Sequence, residues 1–190
     1  MKNIVLTGFM GTGKTEVGKI LSRKLGYAFV DADTKIEEWQ KMTITEIFKQ
    51  YGESKFRDIE ADVIRRLSMM ENTIISTGGG TVLRQENMDN LRKNGVIVCL
   101  TASAETILKR TSNNNDRPLL QVENPLQKIK DLLEFRKQYY EKADIMIDTE
   151  NKTPLELAEE IVEWMKIKEG EFYATLEQEN NDYMKFFQRD

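Results

Sequence analysis

"GFMGTGKT", residues 8–15, follows directly on the apolar run "NIVLT" and leads into a segment with helical patterning. The octet fits G-x-x-x-x-G-K-[ST] in the strand, loop and helix setting that gives this pattern its meaning. In such a loop the backbone N–H groups and the N-terminus of the next helix surround phosphate oxygens. Lys14 would balance charge on the β and γ phosphates, and Thr15 would offer a hydroxyl oxygen to Mg2+. The stretch therefore predicts a nucleotide site. It leaves open whether the phosphoryl group goes to water, a protein, a nucleotide or a metabolite.

Outward from this loop, short β-rich apolar runs alternate with helical patterns. The runs are "NIVLTG" (3–8), "YAFVD" (27–31), "TIIST" (73–77), "VIVCLT" (96–101) and "DIMID" (144–148). Most are nearly continuous in apolar residues, which suits strands covered on both faces, as in a parallel sheet. Between them, Thr43 with Glu46 and Thr153 with Glu156 have the spacing of capping boxes, and Pro154 suits a first helical position. Gly26, Gly52 and Gly95 stand where helices are expected to stop. The alternation predicts a doubly wound α/β fold.

The bulk composition narrows the chemistry. A chain of 190 residues is the size of one domain. With 39% hydrophobic and 32% charged residues it reads as soluble and globular, and no run approaches the roughly 18 apolar residues of a membrane span. The N-terminus enters a strand at once instead of a leader, so a cytoplasmic location and no membrane partner are expected. There is no histidine, which excludes His-assisted nucleophiles and His-ligated zinc. Proton transfer falls to carboxylates, Lys or Tyr. The one cysteine, Cys99, lies inside "VIVCL" and reads as a small buried hydrophobe. A net charge of −4 with interspersed signs argues against a nucleic-acid partner.

Further stretches ask for explanation. "VDADTK" ends the second expected strand, and Asp31 and Asp33, two apart, would share one side of an extended chain. One would assist a metal ion while the other meets an acceptor hydroxyl; a capping role for Asp33 and a turn for Asp31 is the plain alternative. "STGGGT" (76–81) places three glycines straight after a strand. Glycine is costly to order, so something must approach that backbone closely. Arg57 and Glu60, three apart, would form at least an ordinary ion pair on a helix. "SNNNDRPLLQVEN" (112–124) breaks the α/β rhythm and has the length of a lid or binding loop. After Gly170 the chain turns acidic and Asn-rich, with Phe172, Leu176, Tyr183 and Phe187 at amphipathic spacing.

"GFMGTGKT", "DAD", "FRDIE" (56–60), "STGGGT", "DRPLL" (116–120) and "FRKQYYEKAD" (135–144), in that order, resemble shikimate kinases over about residues 1–168. The resemblance implies transfer of phosphate from ATP, with Mg2+, to the 3-hydroxyl of shikimate in chorismate and aromatic amino acid biosynthesis. It implies a three-layer α/β/α fold of the P-loop kinase type, similar to nucleoside monophosphate kinases, with a five-stranded parallel sheet of order 2-3-1-4-5. A single domain over 1–170 with a lid near 112–124 follows, leaving 171–190 as an extension, and a monomer is expected.

The same resemblance suggests roles by position. Gly11, Thr12, Gly13, Lys14, Thr15 and Glu16 would meet the nucleotide, although the family more often has a small hydroxyl residue where Glu16 stands. Arg110 would stack on adenine, with Thr153 in the segment lining the base. Thr15 and Asp31 would serve Mg2+, Asp31 through water. Arg57, Arg136 and Gly79 would hold shikimate, Glu60 would orient Arg57, and Asp33 would act as the base. Gly78 and Gly80 would keep the site bare, Phe48 and Phe56 would wall it, and Arg117 would swing onto the transferring phosphate. Two rivals remain: a kinase of another small hydroxy acid such as gluconate, and a nucleotide-binding module without catalysis.

Overall fold

The computed structural model describes residues 2–112, 122–168 and 170. The expected loop at 112–124 falls largely outside these residues, as do Arg117 and the extension at 171–190. Five strands form one parallel sheet: β1 (Asn3–Thr7), β2 (Ala28–Asp31), β3 (Thr73–Ser76), β4 (Gly95–Thr101) and β5 (Ile145–Asp148). Their order is β2-β3-β1-β4-β5, as the resemblance implied. Seven α-helices are described: α1 (Lys14–Leu25), α2 (Ala32–Gln40), α3 (Ile44–Leu67), α4 (Gln85–Lys93), α5 (Ala104–Thr111), α6 (Pro125–Tyr140) and α7 (154–168).

Alternation along the strands divides the core between two faces. Ile4 and Leu6 of β1, with Ile74, Val98, Leu100 and Ile147, pack on Val17 and Leu21 of α1 and on Leu157, Ala158 and Ile161 of α7. Val5, Ile75, Ile97 and Cys99 face the other way, against Ile36, Ile47, Val63, Ile64 and Leu91 of α2, α3 and α4. Both faces are therefore covered by helices, which is why the strands are so continuously apolar. Each buried Val, Leu or Ile among them contributes about 1.5–3 kcal/mol by leaving water. Cys99 has no exposed surface, and burial raises its thiol pKa to about 11, well clear of thiolate chemistry.

Local sequence signals set the element ends. Thr43 Oγ1 accepts from Glu46 N at 3.2 Å while Glu46 Oε2 accepts from Thr43 N at 2.8 Å. Thr153 and Glu156 repeat this exchange at the start of α7. Gly26 caps α1 with φ 69°, and Gly52, at φ 79° and ψ 173°, breaks α3 into two helical segments. Gly95 differs from expectation: α4 is capped by Asn94, and Gly95 is the first residue of β4. A Cβ there would lie 2.7 Å from the Leu91 carbonyl oxygen, so it is close packing that needs the glycine.

One expectation about the second strand is also corrected. Asp31 ends β2, but Asp33 already lies in the first turn of α2, so the pair does not belong to one extended segment. The helix cap is Asp31, whose Oδ1 accepts from the Asp33 and Thr34 amides. A carboxylate at this position satisfies helix-end donors and the local dipole together.

Candidate active site

β1 delivers the phosphate loop at the carboxyl edge of the sheet, where ligands collect in open α/β folds. Gly13, at φ 89°, is the residue before α1, so the loop turns sharply into the helix N-terminus. Thr12 is fully buried and donates to the Phe9 carbonyl at 2.8 Å, tying the loop to itself. Lys14 Nζ donates to the carbonyls of Gly8 and Phe9, each at 2.8 Å. These bonds hold the ammonium against the loop's own backbone. Thr15 Oγ1 donates to Asp31 Oδ2 at 3.3 Å, and Ser76 Oγ to the same oxygen at 3.0 Å.

An open cleft runs from Gly11, Lys14, Thr15 and Glu16 to Asp33, Gly78 and Gly79. β3 pairs with β1, and this adjacency places the glycine run beside the phosphate loop. What crowds the run is chemically telling. A Cβ on Gly78 would lie 2.7 Å from Asp33 Oδ1; one on Gly79 would lie 3.3 Å from Arg136 Nη1; one on Gly80 would lie 2.5 Å from Arg57 Nη2. Consecutive Cα atoms are about 3.8 Å apart. Asp33, Arg136 and Arg57 therefore converge on one short stretch of bare backbone, which explains three glycines where a turn alone needs one.

Each charged group has a distinct setting. Arg57 Nη1 donates to Glu60 Oε2 at 2.8 Å, and Nη2 to Glu53 Oε1 at 3.2 Å. Burial works against the Arg57 charge, but Glu60, with help from Glu53, outweighs it and raises its pKa above the ordinary arginine value. Glu60 is 1% exposed, and its second oxygen accepts from Thr81 Oγ1 at 2.7 Å. Arg136 is 4% exposed, donates from Nη1 to the Gly79 carbonyl at 3.1 Å, and lies 5.4 Å from the Phe9 ring centroid. Its Nε is buried with no hydrogen-bond partner, and among the described residues no carboxylate forms an ion pair with it. Phe48 and Phe56 pack with ring centroids 4.6 Å apart and planes tilted by 37°, and the Arg57 guanidinium lies over the Phe56 ring.

The remaining sequence-derived positions divide. Arg110 latches the phosphate loop to the start of the segment after β5, through Gly11 O at 3.3 Å and through Thr149 Oγ1 and O at 2.9 and 3.0 Å. Thr153 is engaged in its capping box, donating to Glu156 at 2.8 Å. Glu16 pairs loosely with Lys19 at 3.6 Å on the exposed side of α1.

The family model described as "Shikimate kinase" matches residues 10–166. The chain belongs to the shikimate kinase family. A shikimate kinase of Thermodesulfovibrio yellowstonii is 54% identical over 171 residues, covering 90% of this chain and 99% of that protein. The solved shikimate kinase of Acinetobacter baumannii in complex with shikimate superposes with a TM-score of 0.86 at 38% identity, over 88% of this chain and 94% of that one. A gluconokinase from Sinorhizobium meliloti shares the fold alone, at 17% identity and a TM-score of 0.58, over 91% of this chain and 97% of that one. Membership of the shikimate kinase family makes this chain a kinase that uses ATP. No helix among the described residues is long and apolar enough to cross a membrane.

Several site contacts escape the sequence reading. Ser76 joins Asp31 behind Thr15, and Thr81 supports Glu60. Arg84 braces the Arg57 backbone by donating to its carbonyl at 3.1 Å while pairing with Asp58 at 2.8 Å. Tyr140 donates to the Gly79 carbonyl at 2.8 Å. Only Tyr140 carries a sequence signal, since it lies four residues after Arg136 and so shares its helix face.

Proposed function

We propose that this chain transfers the γ phosphate of ATP to the 3-hydroxyl of shikimate, with the two substrates meeting between the phosphate loop and the glycine run. The observation that carries the acceptor assignment is Arg136: a guanidinium this buried, with an unpartnered Nε and no paired carboxylate among the described residues. Such a charge is costly unless an anion completes it. An acceptor carboxylate would do so, and the planar guanidinium suits two parallel hydrogen bonds. Arg57, braced by Glu60, would supply the second cation.

In this reading Asp33 accepts the hydroxyl proton, and Lys14 and the loop amides hold the transferring phosphate. The protein contributes mainly alignment and charge neutralisation, because phosphoryl transfer asks little covalent chemistry of it. Thr15 and Asp31, hard oxygen donors meeting within 3.3 Å, suit Mg2+, which keeps most of its shell as water and phosphate oxygens. Bound there, the ion would neutralise charge on the β and γ phosphates. Arg110 and Thr153 would border the adenine. Arg117, outside the described residues, is assigned to the transferring phosphate by the family resemblance. The kinase domain would span 1–170 and act in the cytoplasm as a monomer.

Incubation with ATP, Mg2+ and shikimate should yield shikimate 3-phosphate and ADP. With gluconate in place of shikimate, turnover should fall by roughly 10^4, because a site built to bond particular hydroxyls discriminates strongly. Equal turnover of both acids would defeat the acceptor assignment.

A further inference from the structure

Arg136 and Tyr140 stand four apart on α6, on one helix face, and both donate to the same carbonyl oxygen, that of Gly79. That oxygen has two lone pairs, so the phenol and the guanidinium fill its capacity between them. The next carbonyl back, Gly78 O, accepts from the Thr81 amide at 3.2 Å. No peptide bond in the described chain is cis, and in a trans peptide the following N–H points opposite to the carbonyl. Thr81 therefore turns the Gly79 N–H one way, and Tyr140 turns the Gly80 N–H away from α6. The glycine run has no side chains with which to fix its own peptide planes, and it is held by its carbonyls instead.

We propose that Tyr140 is a positioning residue for the acceptor: its hydroxyl anchors the Gly79 peptide and so fixes the carbonyl to which Arg136 Nη1 donates, which orients the guanidinium toward a ligand carboxylate. This rests on the acceptor site proposed above. Without the hydroxyl, Arg136 becomes the sole partner of the Gly79 carbonyl described here, so the guanidinium loses the fixed anchor that sets its orientation. The peptide plane also loosens. Both effects weaken acceptor binding directly, whereas the nucleotide loop, whose Gly8 and Met10 backbone borders Gly79, feels only the looser packing. Tyr140 is 5% exposed, and burial pushes its pKa up to about 12, so the donor proton is retained throughout the working pH range.

The test compares Tyr140→Phe, which keeps the ring, with Arg136→Lys in the full-length chain. Tyr140→Phe should raise the shikimate KM about five-fold, the scale of one hydrogen bond, with the ATP KM changed less than about two-fold. Calorimetric titration of shikimate should show the same loss in affinity. A residue that merely supports the fold would lower the melting temperature while leaving both KM values unchanged, and that result overturns the proposal. If Arg136→Lys raises the shikimate KM about ten-fold or more while Tyr140→Phe leaves it alone, the site stands and Tyr140 has no part in it. Should neither variant move it, the acceptor site itself is misplaced.

Discussion

The two halves of the cleft are built by different means. The phosphate-binding part of the nucleotide half is one unbroken segment of eight residues, held in shape by its own carbonyls through Thr12 and Lys14 and by the helix that follows. The proposed acceptor half would gather Asp33 from α2, Arg57 and Glu60 from α3 and Arg136 from α6 around the glycine run after β3. The first offers mostly main-chain donors, which any sequence keeping the turn can supply. The second offers individual side chains at fixed places. Binding of ATP should therefore tolerate changes across the acceptor half, whereas acceptor use should fail one residue at a time.

The largest separation is expected from Asp33→Asn. The substitution keeps the size of the side chain and removes its capacity to take a proton, a contribution of about 10^2 to 10^4 in rate. Single-turnover measurements should show that loss in kcat with ATP affinity nearly unchanged. Wild-type turnover would remove Asp33 from the chemistry and return it to the role of a first-turn helix residue.

Arg57→Lys comes next. It retains the charge beside Glu60 but loses the flat two-pronged donor, and a charge-assisted bond is worth about 1.5–3 kcal/mol, so the shikimate KM should rise roughly 10- to 100-fold. Equal losses of ATP and shikimate affinity would erase the distinction between the halves. Gly80→Ala attacks the same guanidinium from the other side. Its Cβ, built 2.5 Å from Arg57 Nη2, must displace a flexible side-chain end, not backbone. An off-rotamer shift of about 0.5–1.5 kcal/mol corresponds to a shikimate KM about 2- to 10-fold higher. A wild-type KM in this variant would mean that Arg57 has room to move.

This contrast also explains what was legible in the residues alone. Five strands and their helices could be read because each signal is local: apolar runs, a capping box at Thr43, a helix stop at Gly26. The phosphate loop could be read because its function lies in consecutive backbone. Arg136 could not be read from the chain itself, since "EFRKQYY" on a helix says nothing of a buried guanidinium aimed at Gly79. Its place came from the family resemblance, and the structure supplies a physical reason in its burial and unpartnered Nε. Asp31 shows the converse. The plain reading gave the cap to Asp33 and a turn to Asp31, whereas Asp31 itself caps α2 through one carboxylate oxygen and meets Thr15 through the other, so a structural role leaves the proposed metal role open to it. Gly95 misled because a glycine after a helix usually marks a left-handed cap, and here a neighbouring carbonyl is the cause.

The smallest expected effect lies at the far edge of the nucleotide half. Glu150 follows Thr149, the residue that Arg110 ties to the phosphate loop, and its carboxylate accepts from Ser103 N at 2.8 Å and Thr106 Oγ1 at 2.9 Å. The bonds from Ser103, then that from Thr106, hold its pKa below the ordinary 4.5. A carboxylate whose folded pKa is depressed adds stability that is complete above its unfolded value and fades as pH falls through the folded one. Glu150→Gln should therefore melt slightly below wild type at pH 7, and the gap should close as the pH is taken below 4.5. The group is partly exposed, so added salt should narrow the gap as well. The ATP KM should rise marginally and the shikimate KM should not move. A pH-independent gap would mean that the amide's shape, not the lost charge, is responsible, and a change in shikimate KM would show that the two halves communicate through this edge.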